Sequence, residues 1–426
     1  MSGEFGVWAA SAPAAPALPP LDADLDCEIA IVGAGYTGLS TALHLAEAGQ
    51  RCVVLEAQEP GWGASGRNTG WLEPNWWMKK PADIASLYGS DRGAELSRWV
   101  ASGPQLLDRW IAQYGLQVEI ERGGLVLATE QPDKAAELEA EVRDWQALGV
   151  AHDYLDRTGV QRYIPTSRYA GGILLKGGAT LNPLALSREL ARACVARGVE
   201  IFVRSPVAAI ERDGSSWRLK TPRGTVRCRR LVLATDAYTR DLWPALGGSF
   251  ATWHVAVIAS EPYARLHELL PGGAAFCDLG MSNIFTLRRA AGDRLVTSTF
   301  APVRRSLSPA AVAGPFMRKF SKVFPTQPAP RWQYAHFGEI GLSRDMMPRI
   351  VQIGPQAWTA YGYSGTGMNF ALLMGGELSR LVQADQIDAA RFPVASFERF
   401  ALRRVIGLAL RYVHAPVARS LVSRIA

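Results

Sequence analysis

The sequence is poor in several features at once, and each shortage excludes something. No window of its 426 residues approaches the ~20 consecutive apolar residues that a membrane-spanning helix needs; the longest apolar pieces, such as residues 405–410, are far too short. Five cysteines (Cys27, Cys52, Cys194, Cys228, Cys277) are scattered without a Cys-x-x-Cys or Cys/His cluster. That excludes a disulfide framework and a structural metal site, and it reads as reduced thiols in a cytoplasmic protein. Ser/His/Asp order, metal-ligand spacing and a P-loop are all missing. The net charge is +7, yet the basic residues are spread along the chain apart from a sparse set near the end, Arg399, Arg403, Arg404, Arg411, Arg419 and Arg424. Without a basic stripe, no nucleic-acid partner is expected. Residues 1–25 carry no Lys or Arg ahead of their apolar positions and are broken by Pro13 and Pro16. They do not read as a secretory signal and are expected to form a poorly packed, disordered arm.

What remains is an ordinary globular composition, 48% hydrophobic and 20% charged, long enough for two or three core-forming units. Order begins at the β-branched run Cys27-Glu28-Ile29-Ala30-Ile31-Val32. It meets Gly33-Ala34-Gly35-Tyr36-Thr37-Gly38, then apolar residues at helical spacing (Leu39, Ala42, Leu43, Ala46) closed by Gly49. A second strand ends at Glu56, 18 positions after Gly38. Gly-x-Gly-x-x-Gly alone is weak, but strand, glycine turn, helix, strand and terminal acid together form a dinucleotide-binding βαβ unit. The glycines serve the tight turn, backbone approach to a pyrophosphate and helix–strand packing. The helix N-terminus presents free N–H groups to phosphate. Glu56 can accept from a ribose diol and disfavours a 2′-phosphate. The unit by itself does not choose between NAD and FAD.

Further along, residues 81–115 and 133–148 read as helices, 116–129 as strands around a Gly123-Gly124 turn, and 183–196 as a helix. Strands are expected at 200–203, 207–212, 217–221, 225–228 and 230–234, with more between 252 and 300, and a helix at 369–382. There is no internal repeat and no linker between independent halves, so two interleaved domains are expected.

Three separated segments carry a resemblance. They are Gly33 to Glu56, the loop Gly63-Ala64-Ser65-Gly66-Arg67-Asn68-Thr69-Gly70, and the loop Gly362-Tyr363-Ser364-Gly365-Thr366-Gly367-Met368. In this order they resemble the FAD-dependent D-amino acid/glycine oxidase (DAO) family, and within it the gamma-glutamylputrescine oxidase branch. Gly338-Glu339-Ile340-Gly341-Leu342 resembles a further stretch of that branch. The resemblance spans roughly residues 25–385. It implies an α/β Rossmann-type FAD-binding domain interleaved with an α+β substrate-binding domain, the glutathione-reductase-like FAD fold of DAO type. The expected division is a disordered arm at 1–25, a discontinuous FAD-binding domain at 26–80, 172–242 and 338–396, a substrate domain at 81–171 and 243–337, and C-terminal basic helices at 397–426.

The resemblance also implies roles. Gly33, Gly35, Tyr36, Thr37, Gly38, Glu56, Ala57, Ala64, Ser65, Arg67, Asn68, Thr69 and Gly70 would hold FAD, as would Val207 toward the adenine and Ala234 and Thr235 at a second turn. Gly362, Tyr363, Ser364, Gly365, Thr366, Gly367 and Met368 would follow the pyrimidine edge of the flavin, with Thr366 in place of a family histidine. Slots used elsewhere in the family for covalent attachment fall on Gly338 and near Arg67, so FAD is expected to be noncovalent. The slot of an oxygen-activating lysine falls near Val296. Family positions that clamp a substrate carboxylate fall on Ile340, near Glu73 and on Asn369, none of them basic, although Arg288 or Arg344 can take over. The substrate is therefore expected to be a small amine, with Glu73 available to a second ammonium and Trp71, Trp76 and Trp77 to packing or a cation–π cage. Glu73, His336, Tyr363 and Thr366 are the candidate catalytic side chains.

The implied reaction is oxidation of an amine C–N bond, with hydride passing to flavin N5, hydrolysis of the imine, and dioxygen reduced to hydrogen peroxide. The alternatives are a dehydrogenase passing electrons to a quinone or carrier, with the basic C-terminal helices as a membrane contact, a tailoring oxidase acting on a natural-product amine, and a flavin-binding subunit without catalysis.

Overall fold

The computed structural model describes residues 4–280, 285–299, 308–401, 403 and 405–406. Among these, one nine-stranded sheet is built around Leu25–Val32. That strand pairs in parallel with Val53–Leu55 on one side and Thr225–Leu233 on the other. Glu200–Phe202 extends the sheet beyond Val53–Leu55, and Ala357–Tyr361 pairs in parallel beyond Thr225–Leu233. Ile29 to Val32 are buried on both faces, as expected of a central parallel strand. The runs expected at 225–228 and 230–234 form one continuous strand, because Arg229 does not interrupt the pairing with Leu25–Val32.

Helix Tyr36–Glu47 packs along helix Gly367–Ala384, and Ser40 Oγ donates to the carbonyl of Leu372 at 2.6 Å. A helix near the start of the chain and one near its end thus share one core. Helix Pro183–Ala196 covers the other flank. Pro183 occupies its first turn, and Asn182 caps it by accepting from the N–H groups of Leu184 (3.0 Å) and Ala185 (3.1 Å).

An eight-stranded sheet forms the second layer. It runs from Trp332–Leu342 through Ala251–Pro262, Arg294–Thr299, Phe285–Ala290, Ala275–Asp278, Leu125–Thr129 and Gly171–Leu175 to His152–Asp156. The expected domain limits at 171/172 and 337/338 both fall inside strands of this sheet. Gly171–Leu175 pairs with Leu125–Thr129, and Trp332–Leu342 pairs with Ala251–Pro262 without a break at residue 337.

Residues 4–25 correct the expectation of a disordered arm. A short helix, Val7–Ser11, buries Val7 and Trp8, and Leu21 is buried farther on. Composition suggested an arm, but a few large apolar residues suffice to dock it. Trp8 Nε1 donates to Asn68 O at 2.9 Å, and Asn182 Nδ2 donates to Trp8 O at 2.9 Å. The expected basic helices at 397–426 lie mostly outside the described residues. Within them, Phe400 and Ile406 pack against Ala251, Trp253, Leu342 and Met346. No helix among the described residues is long and apolar enough to cross a membrane.

Candidate active site

The glycine turn is built as its spacing requires. Gly33 has φ +107°, a conformation that a side chain strains, and its N–H donates to Leu55 O at 2.8 Å. A Cβ on Gly38 would run into the carbonyl of Gly33, so the helix can lie this close to the strand only without one. Both carboxylate oxygens of Glu56 accept backbone N–H groups, Oε2 from Ala34 at 2.7 Å and Oε1 from Gln58 at 2.8 Å. Burial raises its pKa, and these N–H groups work against that rise.

The second loop is braced from both sides. Ser65 Oγ accepts from Tyr36 N at 2.9 Å, which ties the loop to the first turn of the helix. Asn68 folds the loop on itself, donating to the carbonyls of Ala64 and Ser65 and accepting from Gly70 N at 2.7 Å. The guanidinium of Arg67 is taken up by Trp62 O (2.6 Å) and by the carboxylate of Glu4 (2.7 Å). In the third loop, the hydroxyl of Tyr363 meets Thr37 Oγ1 at 2.7 Å, and Gly362 N donates to Asp236 Oδ1 at 2.9 Å. Burial pushes the Asp236 carboxyl up to about 6 against the pull of the Gly362 and Ala237 N–H groups. Sequence reasoning missed Asp236; its only signal was its place directly after the Ala234-Thr235 turn.

These segments enclose a cavity of about 1010 Å³ that continues into the eight-stranded sheet. This is at the top of the ~300–1,000 Å³ range usual for small-molecule sites, room for a dinucleotide with a substrate beside it. Gly33, Gly35, Tyr36, Thr37, Glu56 and Ala57 line one end, with Val207, Ala234 and Thr235 beside them. Ala64, Ser65, Arg67, Asn68 and Thr69 line the middle, facing Tyr363, Ser364, Gly365, Gly367 and Met368. Gly38, Gly70 and Gly362 stand behind this wall, shaping the turns without lining it.

Two candidate catalytic residues, Thr366 and His336, do not line the cavity. Thr366 is buried at the start of helix Gly367–Ala384, its hydroxyl donates to Tyr363 O at 3.3 Å, and it does not line the cavity. His336 shares a strand with Gly338 and Ile340, which do line it, but does not line it itself and packs instead against Gly6 and Trp8. Its Nε2 lies 3.1 Å from Arg67 O and its ring stands edge-on to Trp8 at 6.4 Å. Burial lowers its pKa to about 4, so it is neutral near pH 7.

Glu73 is placed in the cavity wall. It is half-buried, has no hydrogen-bond or ion-pair partner among the described residues, and burial pushes its carboxyl up to about 8. Of the tryptophans beside it, Trp76 is core, donating to Ser97 Oγ at 3.0 Å, while still touching the cavity. Trp71 also joins an apolar cluster, and Trp77 is half-buried on the wall.

The possible carboxylate clamps are otherwise engaged. Arg288 is buried, and its Nη1 donates to the carbonyls of Thr69 (2.7 Å) and Leu181 (2.8 Å), with its guanidinium over the ring of Trp8 at 5.0 Å. Burial lowers its pKa to about 9. Arg344 does not line the cavity, and Asn369 Nδ2 donates to Val100 O at 2.9 Å. Val296 lies in an apolar cluster with Val7 and Trp8.

A family model described as FAD dependent oxidoreductase, DAO, matches residues 28–381. The chain belongs to this family. It is 29% identical over 389 residues to the gamma-glutamylputrescine oxidoreductase of Escherichia coli (strain K12), covering 90% of this chain and 89% of that protein. Among solved structures it resembles the glycine oxidase of Geobacillus kaustophilus, with a TM-score of 0.69 and 19% identity over 88% of this chain and 99% of that one. It also resembles an L-proline dehydrogenase from P. horikoshii, with a TM-score of 0.71 and 14% identity over 85% and 95%. The DAO-family enzyme described here is therefore an FAD-binding oxidoreductase that acts on amines or amino acids. The residues present fit the cofactor: a glycine-lined turn at a helix N-terminus, an acid at the end of the second strand, and a cavity of sufficient size.

Proposed function

We propose that this enzyme oxidises the C–N bond of a small amine whose reacting carbon carries no carboxylate. The observation that carries this reading is the state of the arginines around the cavity. Arg288 is engaged through Nε and Nη1 by backbone carbonyls, Arg67 by Trp62 O and Glu4, and Arg240 is paired with Glu339 at 2.9 Å. Lys80 is paired with Glu137 at 3.1 Å. Lys79 and Lys134 also line the cavity, but an ammonium on a flexible stem lacks the planar fork that holds a carboxylate in register. Glu73, half-buried on the wall without a hydrogen-bond or ion-pair partner among the described residues, adds no donor for a carboxylate when protonated by burial and repels one when ionised.

FAD would be held noncovalently, residues 33–38 taking its phosphates, Glu56 its ribose, and residues 64–70 and 363–368 its flavin. When bound, it supplies the two-electron acceptor for the α-C–H bond of the neutral amine; the imine hydrolyses in water, and dioxygen takes the electrons to give hydrogen peroxide. The chain's own contribution is binding and orientation. Tyr363, Ser364 and Gly365 fix one wall, Gly338 and Ile340 the other, and the apolar side chains between them exclude water and favour the uncharged amine. None of the five cysteines is in a disulfide, which suits a reducing cytoplasm.

Anaerobic mixing with a substrate panel tests the reading. Simple alkylamines should bleach the flavin, whereas glycine, sarcosine and D-alanine should do so poorly. Efficient bleaching by the amino acids with none by amines would overturn it. Oxygen consumption with peroxide formation marks an oxidase; dye reduction without oxygen uptake marks a dehydrogenase.

A further inference from the structure

We infer that the cavity wall at Glu73 is a subsite for a second cationic nitrogen, so that the substrate is a diamine-type molecule with an alkyl spacer between its reacting nitrogen and a distal ammonium. This rests on the reading that the reacting carbon bears no carboxylate.

Glu73 differs from the acids that are buried. Glu189 accepts from Gln117 N at 3.0 Å and pairs with Arg192. Glu377 pairs with Arg380 and accepts from Arg391 N. Asp278 accepts from Tyr169 OH at 2.9 Å and pairs with Lys319. Each has the donors that a buried carboxylate requires. Glu73 has none, three residues beyond the end of the loop that borders the flavin end of the cavity, and the neighbouring Lys80 is already paired with Glu137. A half-buried carboxyl on the cavity wall with no donor from the protein is open to one that arrives with a ligand, and an ammonium brings three. Trp71 and Trp77, on the same wall, offer ring faces to the same cation. Leu127, Leu138 and Ile173 supply an apolar floor on which methylene groups bury without cost. An acid, two indoles and an aliphatic floor together select a positively charged nitrogen at the end of a short hydrocarbon chain.

The test compares 1,3- to 1,6-diaminoalkanes with n-alkylamines of the same carbon count, reading the concentration that half-saturates anaerobic flavin reduction in the holoenzyme. The wild type should reach half-saturation at least tenfold lower with the best diamine than with its monoamine. Glu73→Gln, nearly isosteric, should erase that difference by raising the diamine value toward the monoamine one, with FAD still bound. Glu73→Lys should reverse the preference, favouring an amine with a distal carboxylate. A wild type that does not distinguish the two series overturns the inference but leaves the amine reading intact. So does a difference that survives in Glu73→Gln, and so does equal loss for both series or loss of FAD in that variant. Bleaching by α-amino acids alone overturns both.

Discussion

The hydroxyls of Tyr363 and Thr37 meet at 2.7 Å across 326 positions of sequence. This bond registers the last glycine loop on the first turn of the phosphate-binding helix, and both side chains are buried. Tyr363→Phe strands the Thr37 hydroxyl, at a cost of about 1–3 kcal/mol. A double-mutant cycle with Thr37→Val, followed by urea unfolding, should show coupling of about 1 kcal/mol. Strictly additive losses would mean that the bond contributes nothing.

Gly35→Leu should yield folded, colourless protein. A Cβ there meets Ser65 Oγ at 2.9 Å, and a longer side chain fills the space the pyrophosphate needs. Glu56→Ala should weaken FAD by about 1–3 kcal/mol in a titration of apoprotein. Acid precipitation of the wild type should leave the yellow colour in the supernatant.

Trp8→Ala removes a fully buried indole that donates to Asn68 O and lies beneath the Arg288 guanidinium. The expected loss is about 3–5 kcal/mol of stability, seen as a lower Tm. FAD should also dissociate faster, because the loop at residues 63–70 loses its brace. Unchanged flavin retention would show that the N-terminal segment only packs.

His336 predicts an acid-side sensitivity. Its folded pKa is lowered to about 4 from an ordinary value near 6.5. The unfolded chain therefore binds more protons between these limits, so stability falls as pH drops from about 6.5 to about 4. His336→Gln should flatten that part of the stability–pH curve and leave turnover at pH 7 nearly unchanged. A collapse of turnover with intact FAD binding would restore a catalytic role.

Much of the cofactor end was legible in the sequence because its chemistry is local. The turn at Gly33, the helix after it and Glu56 lie within 24 residues, and each glycine answers a constraint set by its neighbours. The substrate end was less legible. His336 looked available until residues 6–8, some 330 positions away, covered it. Thr366 occupied a family slot, yet its hydroxyl is spent on the carbonyl of Tyr363 in the preceding loop. Asp236 needed the contact with Gly362 to be noticed, and the docking of Trp8 needed three partners from distant segments. Composition described residues 1–25 as loose because alanine and proline outnumber the two residues, Val7 and Trp8, that anchor the helix.

The central strand Leu25–Val32 has consequences for how the chain comes off the ribosome. One of its neighbours, Val53–Leu55, follows within some 20 residues, but the other, Thr225–Leu233, is about 200 residues downstream, and Ala357–Tyr361 must still extend the sheet beyond it. The nascent polypeptide therefore carries a half-paired, strongly apolar strand through most of its synthesis. At ~5–20 residues per second this exposure lasts on the order of ten seconds or more, the interval in which chaperone capture competes with aggregation.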